Sequence, residues 1–168
     1  MKAHRQMVLR MLMVIVLAVG VVGSARAEGD PPIKDATPFQ QEIHVGIPAG
    51  AGEGFAFSTQ IPAGKRLIME NVSAQVSMPS GQRALVFINA TSGGATIQHA
   101  IPVTLQGTFS GYDEMMASQP MKLYADPSSY VGVSVFLNSL AGPTDVWVKV
   151  SGKLVPCGHD QSCAIEEE

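Results

Sequence analysis

The sequence predicts an all-β fold: an antiparallel two-sheet β-sandwich, jelly-roll-like, behind an N-terminal signal-peptide helix. Three observations carry that prediction. Apolar and polar residues alternate in one segment after another. Turn chemistry recurs at intervals of roughly 8–15 residues, the spacing expected of short antiparallel strands. After residue 27 no stretch shows the 3.6-residue apolar period of an amphipathic helix.

The N-terminus comes first. Residues 1–10 carry Lys2, Arg5 and Arg10 and no acid, residues 11–23 carry no charge, and Ala25 and Ala27 follow in an Ala-x-Ala spacing. A basic start, a short apolar run and a small-residue site describe a secretory signal peptide cut after Ala27. The rival reading, an uncleaved membrane anchor, needs ~20 apolar residues to span a bilayer as a helix. The run here has thirteen. Cleavage removes Lys2, Arg5, Arg10 and Arg26 from eleven basic residues, leaving seven against fourteen acids, a net charge near −7. That balance offers no electrostatic grip on nucleic acid or an anionic membrane. The expected product is a secreted or periplasmic protein with no integral membrane segment.

Residues 28–38 are polar, contain Pro31, Pro32 and Pro38, and predict a flexible leader; residues 39–156 predict the sandwich. Within it, Ile43, Val45 and Ile47 alternate with Glu42 and His44 in a first strand. A glycine-rich turn over 48–54 precedes a second strand over 55–61, with Phe55, Phe57 and Thr59 on one face. Ile-Pro-Ala-Gly occurs at 47–50 and again at 61–64, predicting two similar turns in which Pro sets φ and Gly takes a positive one. The stretch 61–78 is the centre of the pattern. From Val72 to Met78 the alternation is clean, but Leu67 and Met69 run in the other phase, so a bulge near Glu70–Asn71 is required to return the apolar set to the core.

Residues 84–90 are apolar on both faces and predict an interior strand. The segment 95–106 alternates, but Pro102 makes it an edge or breaks it there. Residues 108–119 do not choose between strand and a single helical turn. Asp126-Pro127-Ser128-Ser129 has type I turn chemistry. Val131, Val133, Val135 and Leu137 line one face of a strong strand, and Val146, Val148 and Val150 are expected to return as its antiparallel partner.

Few residues combine into chemistry. Cys157 and Cys163, in an exported chain and just after the last strand, predict a disulfide within an acidic tail over 157–168. The alternative, a metal site from both cysteines with His159 and Asp160, matches no common zinc spacing. His44 lies on the wet phase of its strand, whereas His99 interrupts an apolar phase and needs a hydrogen-bond partner. Trp147 shares its phase with Asp145 and Lys149, opposite the valines. An indole facing outward beside a carboxylate and an ammonium is the arrangement of a sugar-stacking platform; the blander reading is an indole covered by a loop or packed in a second layer. Motifs for serine hydrolases, zinc proteases and phosphate-binding loops are missing, and neither metal nor cofactor is expected.

The expectation is therefore an exported, non-catalytic binding or structural module. Glycan or surface polymer is its first candidate ligand, with Trp147, Asp145 and Lys149 and the loops 48–54 and 138–144 as contacts. The first alternative is a subunit of an extracellular assembly that pairs with other exported proteins through bare strand edges. The second is a hydrolase or metalloenzyme built from His44, His99 and dispersed carboxylates.

Overall fold

The computed structural model describes residues 35–157, and every regular element among them is a β-strand. Among the described residues nine strands form two antiparallel sheets. In the first, β1 (Thr37–Ile47), β9 (Thr144–Pro156), β3 (Lys65–Pro79), β7 (Tyr112–Ala125) and β6 (Thr104–Phe109) lie side by side in that order. In the second the order is β2 (Glu53–Phe57), β8 (Gly132–Leu137), β4 (Ala84–Ser92) and β5 (Ala95–Ile101). The residues 1–27 expected to form the signal peptide, and Cys163, lie outside the described residues. Cys157 ends β9, its N–H donating to the Gly64 carbonyl at 2.8 Å.

The alternation read in the sequence fills one core. Val72, Ala74, Val76 and Met78 of β3 are buried, with Val146, Val148 and Val150 of β9 and Ile43, Val45 and Ile47 of β1 beside them. Val86, Ile88 and Ala90 of β4, Val133 and Val135 of β8 and Val131 just before β8 join the same cluster from the other sheet. Each such aliphatic side chain stabilises the fold by about 1.5–3 kcal/mol relative to exposure. The bulge is where the phase change demands it: the register of β3 shifts between Met69 and Asn71 against both β7 and β9. Gly152 faces it on β9, and a Cβ there would collide with the Ile68 carbonyl oxygen.

Three of the crossings between sheets use one turn. Pro48-Ala49-Gly50, Pro62-Ala63-Gly64 and Pro79-Ser80-Gly81 lead from β1 to β2, β2 to β3 and β3 to β4. In each, the Pro carbonyl accepts the N–H three residues on, at 3.1–3.2 Å, and Gly has φ between 71° and 88°. A positive φ at the third position is the type II requirement, which Gly meets without a Cβ penalty. At β7 to β8, Ser129 N–H bonds the Asp126 carbonyl at 3.2 Å with Ser128 at φ 61°. That turn is therefore not the type I predicted, since type I needs a negative φ at its third residue.

Other expectations are corrected. β8 and β9 are not partners: β8 pairs with β2 and β4, β9 with β1 and β3, and the loop between them crosses from one sheet to the other. Both strands are apolar toward the core, so facing each other across it satisfies the pattern as well as pairing does. β1 begins at Thr37, two residues before the expected domain boundary. β2 ends at Phe57 rather than 61, because the Ser58 hydroxyl accepts the Val131 N–H (2.9 Å) in place of a further ladder bond. Pro102 does end β5, an edge strand, and the chain then enters the other sheet as β6. Residues 112–119, unreadable in sequence, belong to the fourteen-residue β7.

Candidate functional site

Strand order turns the polar phases of five separate segments into one surface. Across the outer face of the larger sheet the registers align His44, Trp147, Gln75, Met116 and Thr104 in a single row. The next row is Glu42, Lys149, Ser73 and Ser118, and the one beyond it Gln40, Ser151, Asn71 and Pro120. On the other side of the indole run Asp145, Ser77 and Glu114. Ser73, Gln75 and Ser77 of β3 and Trp147 and Lys149 of β9 sit there because their strand neighbours are buried and the side-chain period is two.

This face holds an open groove of about 610 Å³ whose polar lining is Ser73, Gln75, Thr104, Gln106, Ser118 and Lys149, with Trp147 and Met116 as its large apolar groups. A shallower concavity of about 380 Å³, lined by Gln40, Glu42 and Asn71 among others, adjoins it and shares Ser73 and Lys149. The far wall comes from β6. Thr104 Oγ1 donates to the Met116 carbonyl at 3.1 Å, and Gln106 Nε2 donates back to the Thr104 carbonyl at 3.2 Å.

The near wall is Trp147. His44, its direct neighbour on β1, stacks on the indole with ring centroids 5.1 Å apart and planes 15° from parallel. The imidazole covers part of the indole, which also lines the groove beside Gln75 of β3. Asp145 holds the imidazole: His44 Nε2 lies 2.8 Å from Asp145 Oδ1, and because a carboxylate only accepts, Nε2 carries the hydrogen. Both side chains are about half exposed, so the contact orients the ring more than it stabilises the fold.

Lys149 is the one charged side chain lining the larger groove. Its Nζ is 3.5 Å from Glu42 Oε2, with both groups well exposed, a pair too weak to hold the ammonium from another partner. Trp147, Asp145 and Lys149 thus share the outer face, Trp147 and Lys149 in the groove wall and Asp145 behind the indole. The loops named as contacts do not line the groove. They bond each other at the end of the sandwich, Gly50 N–H to the Leu140 carbonyl (3.2 Å) and Leu137 N–H to the Gly52 carbonyl (2.8 Å).

The fold places His44 and His99 on different sheets. His44 lies on the outer face of the five-stranded sheet. His99 pairs with Ile88 on the inward phase of the edge strand β5, half-buried, its Nε2 without a hydrogen-bond partner among the described residues. Among the described residues no group of three or more His, Cys, Asp or Glu gathers as a metal site would require. Asp113 and Glu114 point to opposite faces, Asp113 buried and Glu114 bonded to Ser77 on the outer one.

Sequence reasoning missed His44 as the partner of Trp147, and missed Gln75, Thr104 and Gln106. Each lies on a wet phase that is readable locally, but only the order β1-β9-β3-β7-β6 makes them neighbours. Comparison with known protein families finds no family model that matches this chain, and comparison with curated proteins finds no significant match.

Proposed function

We propose that this chain is an exported, non-catalytic glycan-binding module of jelly-roll type, taking a polysaccharide segment into the groove on the outer face of its five-stranded sheet. The single observation that carries the reading is the indole of Trp147 in a groove whose polar lining is hydroxyls, amides and one ammonium. A sugar ring has an apolar C–H face and a rim of hydroxyls. The indole of Trp147 takes the first, and Ser73, Gln75, Ser118, Thr104 and Gln106 take the second by exchanging hydrogen bonds. Lys149 adds a donor suited to a hydroxyl or to the carboxylate of an acidic sugar. The groove is open along the sheet and continues into the neighbouring concavity, which suits an internal stretch of a chain rather than a single buried monosaccharide.

The jelly-roll assignment is supported by the interleaving of the two sheets. The first, ninth, third and seventh strands form one layer and the second, eighth, fourth and fifth the other, so the chain crosses the core repeatedly, with β6 an added edge strand. Export is supported by the basic-apolar-small pattern of residues 1–27. A disulfide between Cys157 and Cys163 suits that compartment.

A glycan array probed with wild type and Trp147→Ala tests the reading. Hits on wild type that fall at least about tenfold with Trp147→Ala, the scale of losing one stacked ring, are expected. Trp147 is the only tryptophan, so titrating a hit should also move the single indole emission. No hits, or hits indifferent to the substitution, overturn the proposal.

A further inference from the structure

The outer face of the four-stranded sheet is apolar, and we propose that a second copy of this chain covers it in an isologous two-fold dimer. This inference rests on observations separate from the groove, which lies on the other sheet. Phe55 and Phe57 of β2 and Leu85 of β4 are 55%, 69% and 63% exposed, and Tyr130 beside β8 is 48% exposed. Phe136 packs edge-on between Phe55 and Phe87, centroids 6.0 Å from each, and Phe57 meets Tyr130 in the same way. At Gly132 a Cβ would lie 3.2 Å from the Phe57 ring, so glycine lets Phe57 lean across β8 and close the patch. The result is one continuous apolar surface.

Its occupant follows from shape and charge. The rings meet at 69–84° to one another, which offers no flat platform to a sugar, and Ser134 is already taken by Asn89 (2.7 Å). A second copy brings an equal patch. Strands ~4.8 Å apart with ~3.3 Å rise per residue give this face roughly 300–400 Å² per copy. The pair then buries about 600–800 Å², below the roughly 1,200 Å² at which specific stable interfaces begin, so the association is weak and transient.

Charge fixes the symmetry. Glu53, opposite Phe136 on β2, flanks the patch on one side. Arg83 flanks it on the other, two residues before Leu85 and still on the ladder, with its N–H donating to Asn138 Oδ1 (2.6 Å) and its carbonyl accepting the Asn138 N–H (3.1 Å). Both are exposed and lie toward the same end of the patch. A two-fold axis along β8 exchanges the flanks and sets Glu53 of each copy over Arg83 of the other. Two ion pairs then close the rim of an uncharged centre, the usual division of labour in an interface.

Sedimentation velocity of the exported chain from about 1 to 500 µM tests this, and a monomer–dimer equilibrium with a micromolar midpoint is expected. Phe55→Ser with Phe57→Ser should leave a monomer throughout, its far-ultraviolet spectrum unchanged because both positions are exposed. Glu53→Arg and Arg83→Glu should each weaken association at least about fivefold, and the two together should restore it, since the swap rebuilds the same pairs. Restoration is something a folding defect cannot mimic. A wild type that stays monomeric, a trimer or larger ring, association that survives the phenylalanine substitutions, or a double swap that fails to recover overturns the proposal.

Discussion

Asp113 shows how one residue can hide a strand from sequence reading and then hold the strand's end. It sits on the inward phase of β7, 7% exposed and opposite Met78, where alternation calls for an apolar side chain. Its carboxylate accepts Thr108 Oγ1 at 2.6 Å and the Gly81 N–H at 2.9 Å, tying the β6–β7 hairpin to the Pro79–Gly81 turn. Those bonds, the Thr108 hydroxyl first, then the Gly81 amide, hold its pKa below the ordinary 3.8, against a smaller opposing effect of burial. A carboxylate with a depressed folded pKa lends stability above its unfolded pKa and loses it as pH falls through the folded one. Thermal melts of wild type should therefore decline as pH drops below about 4. Asp113→Asn should melt lower at pH 7 and lack this component of the decline. Identical pH slopes for the two proteins would show that the carboxylate does not hold the turn.

At the scale of elements, the turns and the bulge were legible because each has a local steric cause. Pro-x-Gly announces a φ-restricted residue followed by one free to be left-handed, and the three instances that lie wholly among the described residues fold as the same turn. The phase slip between Met69 and Val72 forced a bulge wherever its partners lay. Gly152 is the other half of that feature and was silent in sequence, since a glycine in a strand has several possible causes. Gly152→Ala should cost about 3 kcal/mol or more, because its Cβ meets backbone, which cannot rotate away. Chemical denaturation is the measurement, and a loss under about 1 kcal/mol would mean the bulge relaxes. Two elements were misread for want of partners. The Ser110-Gly111 turn, φ 51° and 85°, is a two-residue hairpin signal obscured by Asp113 just after it. The valines of β8 and β9 show which way each strand faces but not which sheet it joins.

For the whole molecule, that same ambiguity separates what sequence could and could not say about function. The phase of Trp147 is readable locally, whereas the groove around it and the aromatic face opposite need the strand order. Leu85 and Phe87 already marked β4 as apolar on both sides, which reads as an interior strand, and it is one. What it lacks is a layer over its outer face. Because the two sheets pack inner face to inner face, the groove and the aromatic patch point in opposite directions. A dimer joined through the patches therefore carries two grooves facing away from each other, free to engage two chains or two stretches of a dense polymer. Linked sites raise apparent affinity by about 10²-fold or more when both can engage, and by nothing when ligands are too sparse. At protein concentrations where the dimer is populated, wild type and the Phe55→Ser, Phe57→Ser variant should bind a sparsely coated surface alike. On a dense coat wild type should dissociate more slowly by at least an order of magnitude, with Trp147→Ala abolishing both signals. Equal dissociation of wild type and the phenylalanine variant on the dense coat would show that the two faces do not act together.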